Sequence, residues 1–176
     1  MPQPRKIVVI GPECTGKSTL CAALSKALNT PWVPEYARTY LDGIDRPYTE
    51  EDMLHIAHGQ IAAEDALLGE AADYLVCDTD SYVTKVWAEA KYGRCHSRIL
   101  EAIAKRRYDL YLLTNIDVPW TPDRQREHPE ANYRRYFYHQ YRDIVQQSGT
   151  PWADIRGGEA KRLEDALAAI RDLGSK

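Results

Sequence analysis

The residues best suited to chemistry lie in one run, Gly11-Pro12-Glu13-Cys14-Thr15-Gly16-Lys17-Ser18-Thr19. The run fits G-x-x-x-x-G-K-[ST], the pattern of a loop that wraps a phosphate. Gly11 and Gly16 let the backbone fold tightly. The N–H groups of the loop, from Glu13 through Cys14 and Thr15 to Thr19, then point at an anion at a helix N-terminus. Lys17 reaches the β- and γ-phosphates, and the Ser18 hydroxyl can ligate Mg²⁺. ATP and Mg²⁺ are the cofactors such a loop implies. Cys14 would lie close to bound phosphate, and both Cys14 and Cys21 read as packing residues rather than reactive thiols.

Other charged residues fall where apolar runs end. Asp78 follows Leu75-Val76-Cys77, a Walker B arrangement, and can hold Mg²⁺ directly or through water. A turn or helix-cap aspartate would look the same. Asp80 reads either as the cap of a helix at Ser81 or as a substrate contact. Glu35 follows Trp32-Val33-Pro34 and can take the proton of an attacking hydroxyl. Arg38, three residues on, would touch substrate or pair with Glu35; the plainer reading is a surface ion pair. Arg124 and Arg126 lie in a polar stretch, 121–129, that contains two prolines, with Arg134 and Arg135 just beyond. Arginines on a mobile loop can clamp the charge of a transferred phosphoryl group, and the plainer alternative is a solvated face. Gly157 and Gly158 would admit a flat adenine close to backbone, or simply form a turn. His55 and His58 sit at i and i+3 without further ligands, so a packing or surface role is expected.

These residues need a scaffold, and the hydropathy pattern supplies one. Lys6–Ile10 is a short β-branched apolar run, read as a buried strand. From Ser18 to Leu28, apolar residues recur at helical spacing. Further strands are expected at 32–34, 73–77, 109–113 and 152–155. Helices are expected from about 49 to 68, opening on a capping box at Thr49 and Asp52, and at about 81–92, 97–105, 129–147 and 160–173. Residues 42–47 read as a loop. Strands alternating with helices predict an α/β fold, a three-layer doubly wound parallel sheet of the P-loop NTPase kind. The expected strand order is 2-3-1-4-5, in a single domain over 1–176 with a mobile lid at about 120–135. In such sheets ligands bind at the carboxyl ends of the strands.

Composition narrows the function classes. A chain of 176 residues with formal net charge −3 fits one domain without a clustered basic face, so no nucleic-acid partner is expected. Cys14, Cys21, Cys77 and Cys95 show no metal-type pairing, which suits reduced thiols in a cytoplasmic protein. No apolar run is long enough for a bilayer, and no membrane partner or signal peptide is expected. Twelve Tyr and four Trp against one Phe favour rings with polar handles, as at a wet site.

Among P-loop classes, a GTPase would carry N-K-x-D or T-K-x-D where this chain has Thr114-Asn115-Ile116-Asp117. An AAA-type motor would be longer and carry sensor elements. A small-molecule kinase fits better. The blocks at 11–19, Glu35-Tyr36-Ala37-Arg38, Ala57-His58-Gly59-Gln60, Asp78-Thr79-Asp80 with Thr84 and Trp87, and Ile116-Asp117-Val118-Pro119-Trp120 resemble the ribosylnicotinamide kinase domain of the NAD-biosynthesis regulator family. The resemblance spans nearly the whole chain and keeps the order of the blocks. It implies ATP-dependent phosphorylation of nicotinamide riboside to nicotinamide mononucleotide. It also implies a small-molecule riboside partner, with Tyr36, Arg38, Gln60, Asp78, Asp80, Trp87, Asp117 and Trp120 at the acceptor. Lys17, Glu35, Asp78, Arg124 and Arg126 are the expected catalytic residues. The chain departs from the family at Asn115, where an Asp is usual. At 122–126 a Pro-Asp-Arg-Gln-Arg run replaces Asp-Asp-Gly-Leu-Arg, matching Arg126 to the family arginine. No H-x-G-H motif of an adenylyltransferase is present. Two other readings stay open: a kinase for another nucleoside or small metabolite, and a nucleotide-binding regulatory module without useful turnover.

Overall fold

A computed structural model describes residues 3–174. The elements are β1 (Arg5–Ile10), α1 (Lys17–Leu28), β2 (Trp32–Val33), α2 (Tyr36–Asp42), α3 (Glu50–Leu68) and β3 (Tyr74–Asp78). They continue with α4 (Ser81–Tyr92), α5 (Ser97–Lys105), β4 (Leu110–Thr114), α6 (Ala131–Gln147), β5 (Trp152–Ile155) and α7 (Glu159–Leu173). The strands pair in parallel in the order β2-β3-β1-β4-β5, as the sequence predicts.

The central strand explains the layering. Ile7, Val8, Val9 and Ile10 have no solvent exposure, and successive side chains point to opposite faces. Val8 and Ile10 pack with Leu75, Tyr111, Leu113 and the α6 residues Phe137 and Tyr141. Ile7 and Val9 pack with Leu20 and Leu24 of α1 and Ile170 of α7. A sheet buried on both faces needs continuous apolar strands, which is what these runs are. A third cluster joins α2 to α5 through Ala37, Met53, Ile56, Ala57, Ala88 and Ile99.

One element departs from expectation. Tyr36–Asp42 is a helix, where the sequence suggested only a strand end running into a loop. Tertiary contacts hold this short helix. The Tyr36 ring lies against Gly59 of α3, where an added Cβ would stand 2.0 Å from a ring carbon. The Tyr36 N–H donates to Gln60 Oε1 at 2.8 Å. The capping box forms as expected, with Thr49 N–H donating to Asp52 Oδ2 at 2.7 Å. Arg46 and Tyr40 also bind that carboxylate, at 2.6 and 2.7 Å. The Arg46 guanidinium holds the Asp52 carboxyl far below the usual carboxylate range. Among the described residues no helix is long and apolar enough to cross a membrane.

Candidate active site at the strand ends

The glycine loop rises from the end of β1. Gly11 has φ +152°, and a Cβ there would stand 2.4 Å from Thr114 Oγ1 at the end of β4. Gly16 has φ +77° and precedes α1. The Thr15 hydroxyl lies 2.8 Å from the Pro12 carbonyl and 2.7 Å from Thr114 Oγ1, so the loop is stitched to the neighbouring strand. Lys17 Nζ donates to the Pro12 carbonyl at 2.8 Å.

Asp78 ends β3, beside β1. Ser18 Oγ donates to Asp78 Oδ2 at 2.5 Å. Asp78 Oδ1 is buried and has no hydrogen-bond partner among the described residues. Burial first, then the nearby Glu35 carboxylate, push the Asp78 carboxyl up to about 6. An unsatisfied carboxylate oxygen beside a serine hydroxyl suits a hard cation that takes its other ligands from phosphate and water. Ser18 and Asp78 therefore fit Mg²⁺. The described residues contain no group of three or more His, Cys, Asp or Glu side chains able to hold a metal, His55 and His58 included.

Thr79 carries a left-handed φ of +71°, rare for a β-branched residue. Strain of this kind clusters at functional sites. Beyond it, Asp80 turns beneath the sheet end. Its carboxylate accepts from Tyr82 N–H at 2.9 Å and from the Tyr111 hydroxyl at 2.8 Å, and burial pushes it up to about 7. Asp80 caps α4 and lines a separate cavity with Arg106 and Arg107. The structure does not bring it to the glycine loop.

Two clefts meet at the loop. One is bounded by Gly11, Lys17, Glu35, Arg38, Trp87 and Tyr141. The Glu35 carboxylate lies 3.5 Å from Arg38 Nε, and Arg38 also reaches Asp123 at 3.3 Å. The other cleft, about 390 Å³, is walled by Thr19, Leu20, Ala23, Val118, Pro119 and the Gly157–Gly158 pair. Cys14 and Arg126 border both. Arg124 is exposed and borders neither.

The segment between β4 and α6 is tied to both sides. Glu13 Oε2 accepts from the N–H groups of Glu127 and His128 at 3.0 and 3.2 Å. Thr121 N–H donates to Cys14 Sγ at 3.1 Å, and Gln125 donates to Asp42 at 2.6 Å. Burial is the largest influence on Glu13 and pushes its carboxyl up.

The remaining expected acceptor contacts divide. Trp87 faces the first cleft. Gln60 is a buried brace that donates to the Asp78 carbonyl at 3.4 Å and accepts from Tyr36. The Tyr36 ring packs on Gly59, and Trp120 faces the Arg134 guanidinium at 5.7 Å. Asp117 accepts from Gly157 N–H at 2.7 Å and pairs with Arg162, on the side of the second cleft. Burial pushes the Asp117 carboxyl up, but these two donors leave it below its ordinary value.

Sequence reasoning missed Arg162. This buried side chain donates to the carbonyls of Thr15 at 2.6 Å, Gly157 at 2.7 Å and Asn115 at 3.1 Å, besides Asp117. It therefore binds the loops after three strands into one body. The signal was present: Arg162, Ala166 and Ile170 form one buried stripe of α7, and a charge on such a stripe needs partners.

A family model described as AAA domain matches residues 6–162, from β1 into α7. The chain belongs to this AAA domain family. The match takes in most of the chain, whereas the sequence argued only against a longer motor with sensor elements. Among curated proteins, the trifunctional NAD biosynthesis/regulator protein NadR of Escherichia coli is 27% identical over 157 residues. That match covers 86% of this chain and 38% of the relative, so the chain spans about two fifths of the relative's length. Crystal structures of NadR in complex with NAD and AMP-PNP, and with NR, superpose with TM-scores of 0.75 and 0.73. They are 24% and 23% identical, and each match covers 98% of this chain and about half of the NadR chain. A thymidylate kinase from Ehrlichia chaffeensis shares the fold at TM-score 0.66 and 12% identity, covering 96% of this chain and all of that one. The resemblance read from the sequence blocks is thus met again by comparison over the chain.

Proposed function

We propose that this chain is an ATP-dependent small-molecule kinase that phosphorylates the 5′-hydroxyl of nicotinamide riboside, giving nicotinamide mononucleotide. The observation that carries the reading is the pair of clefts meeting at the P-loop, with Cys14 and Arg126 bordering both and Lys17 lining the first. A donor and an acceptor must meet in line at the transferred phosphoryl group, and catalysis there is positioning plus charge stabilisation.

ATP takes the more apolar cleft, its adenine against Val118, Pro119 and the Gly157–Gly158 backbone. Its phosphates lie on the N–H groups of 13–19, and Lys17 meets the β- and γ-phosphates. Mg²⁺, held by Ser18 and Asp78, would neutralise charge on the phosphate oxygens. Arg126 stabilises the charge spread over the transferred group. Glu35 takes the proton of the acceptor hydroxyl, while Arg38 orients that carboxylate and helps hold the substrate. The segment at 120–135, whose last residues are the start of α6, is the lid over both clefts. Glu35, Glu13 and Asp78 make the acceptor side rich in carboxylate, which suits a cationic pyridinium ring by Coulomb attraction. Trp87 is placed to meet that ring by cation–π contact. The similarity to NadR, solved with NR and with NAD and AMP-PNP, supports the same reading.

The test is coupled ADP release over a panel of ribosides, with Lys17→Ala as the inactive control checked for folding by circular dichroism. Turnover preferring nicotinamide riboside over uridine and adenosine is the expected result. Equal use of neutral and cationic ribosides would overturn the substrate and leave the kinase. ADP release that ignores every riboside would overturn the kinase.

A further inference from the structure

Tyr141 stands out among the buried tyrosines. Tyr108 and Tyr111 each give their hydroxyl to a buried carboxylate, Glu64 at 2.9 Å and Asp80 at 2.8 Å. Tyr108 is half-buried, but Tyr141 is as buried as Tyr111, 2% exposed, yet no described residue takes a hydrogen bond from it. Its ring is fixed in the core with Val83, Phe137 and Val145, while the side chain borders the cleft that also holds Glu35 and Lys17. Its hydroxyl is not one of the fully sealed polar atoms that lack a partner, so it opens on the cleft, where a ligand oxygen can take its hydrogen bond.

We infer that the Tyr141 hydroxyl donates a hydrogen bond to a sugar hydroxyl of the acceptor and so sets which riboside is positioned for transfer. This rests on the kinase reading above. Burial first, then the charges of Glu35, Glu13 and Asp80, push the ionisation of the phenol up, so it stays a donor at neutral pH. A rigid ring carrying the hydroxyl loses little conformational freedom when it binds, which makes the contact selective. Tyr141 sits on α6, directly after the lid, and borders the acceptor cleft but not the one walled by Gly157 and Gly158. Its effect should therefore fall on the acceptor and not on ATP.

The test is Tyr141→Phe, which removes one oxygen and keeps the ring. On the best acceptor, kcat/KM should fall about 2–13-fold, the size of one net hydrogen bond. The KM for ATP should change less than about twofold. Melting temperature should hold or rise, because a hydroxyl without a protein partner is lost; a purely structural role would lower it. Deoxy acceptors locate the contact. Either the 2′- or the 3′-deoxy riboside should lose the same factor with wild type and lose nothing further with the variant. Unchanged kcat/KM for the acceptor, a change confined to ATP, or equal deoxy losses in both proteins would each overturn the inference. Absence of riboside turnover by wild type would instead overturn the kinase reading, and this inference with it.

Discussion

Ser18 lies in the first turn of α1 and Asp78 ends β3, and the serine hydroxyl donates to the carboxylate at 2.5 Å while the second carboxylate oxygen is left without a partner among the described residues. This pairing gives a pH signature. Burial and Glu35 raise the Asp78 carboxyl from its ordinary 3.8 to about 6. A raised folded-state value means the group favours folding below about pH 4 and loses that contribution as pH rises through 6. Asp78→Asn should therefore stabilise the ligand-free protein at pH 8 relative to wild type, on the order of 2 kcal/mol, and add little at pH 4. Thermal melts of both proteins from pH 4 to 8 give the difference. Parallel curves would contradict it.

Glu35 is expected to act on chemistry more than on nucleotide binding. Glu35→Gln should lower kcat by about 10²–10⁴-fold. Binding of an ATP analogue, followed by calorimetry, should stay within about threefold. Loss of both together would make Glu35 a structural partner of Arg38.

The two candidate arginines of the polar segment should separate cleanly. Arg126 borders both clefts, and Arg124 is exposed away from them. Arg126→Ala should cost about 10³-fold or more in kcat, the scale of a charge-stabilising arginine in phosphoryl transfer. Arg124→Ala should stay within about twofold. Steady-state rates at saturating ATP and acceptor decide it, and the reverse ranking would reassign the clamp.

Arg162 should matter to stability and nucleotide binding at once. Arg162→Met strips three carbonyls and Asp117 of a charged donor. Asp117 is 35% exposed and rehydrates in part, so the expected cost is about 2–3 kcal/mol, below that of a fully buried pair. Urea unfolding reads it directly. Because Thr15 and Gly157 lie in separate loops, the KM for ATP should rise as well. An unchanged midpoint would mean that water replaces the guanidinium.

Much of this was legible from sequence because it was local. The glycine loop, the α4 and α5 boundaries, the capping box and the strand order follow from spacing and from the rules of parallel sheets. What was not legible depends on contacts distant in sequence. The α2 helix exists because Gly59 leaves room for the Tyr36 ring and Gln60 meets its first N–H. Asp80 looked like a neighbour of Asp78, but the left-handed turn at Thr79 sends it under the sheet. Arg162 and Tyr141 lie on amphipathic helices whose patterns place them inside without saying what they meet there.

Gly11 is hemmed in by Thr114, with an added Cβ 2.4 Å from a hydroxyl and 2.8 Å from a carbonyl oxygen. Gly16 has far more room, its nearest neighbour being Arg162 at 3.8 Å. Selection therefore acts on Gly11 through the fold as well as through the ligand. A descendant that had lost its nucleotide and let Lys17 drift would still be held to glycine at position 11. Survival of that glycine in a distant copy would testify to an intact sheet and not to a working enzyme.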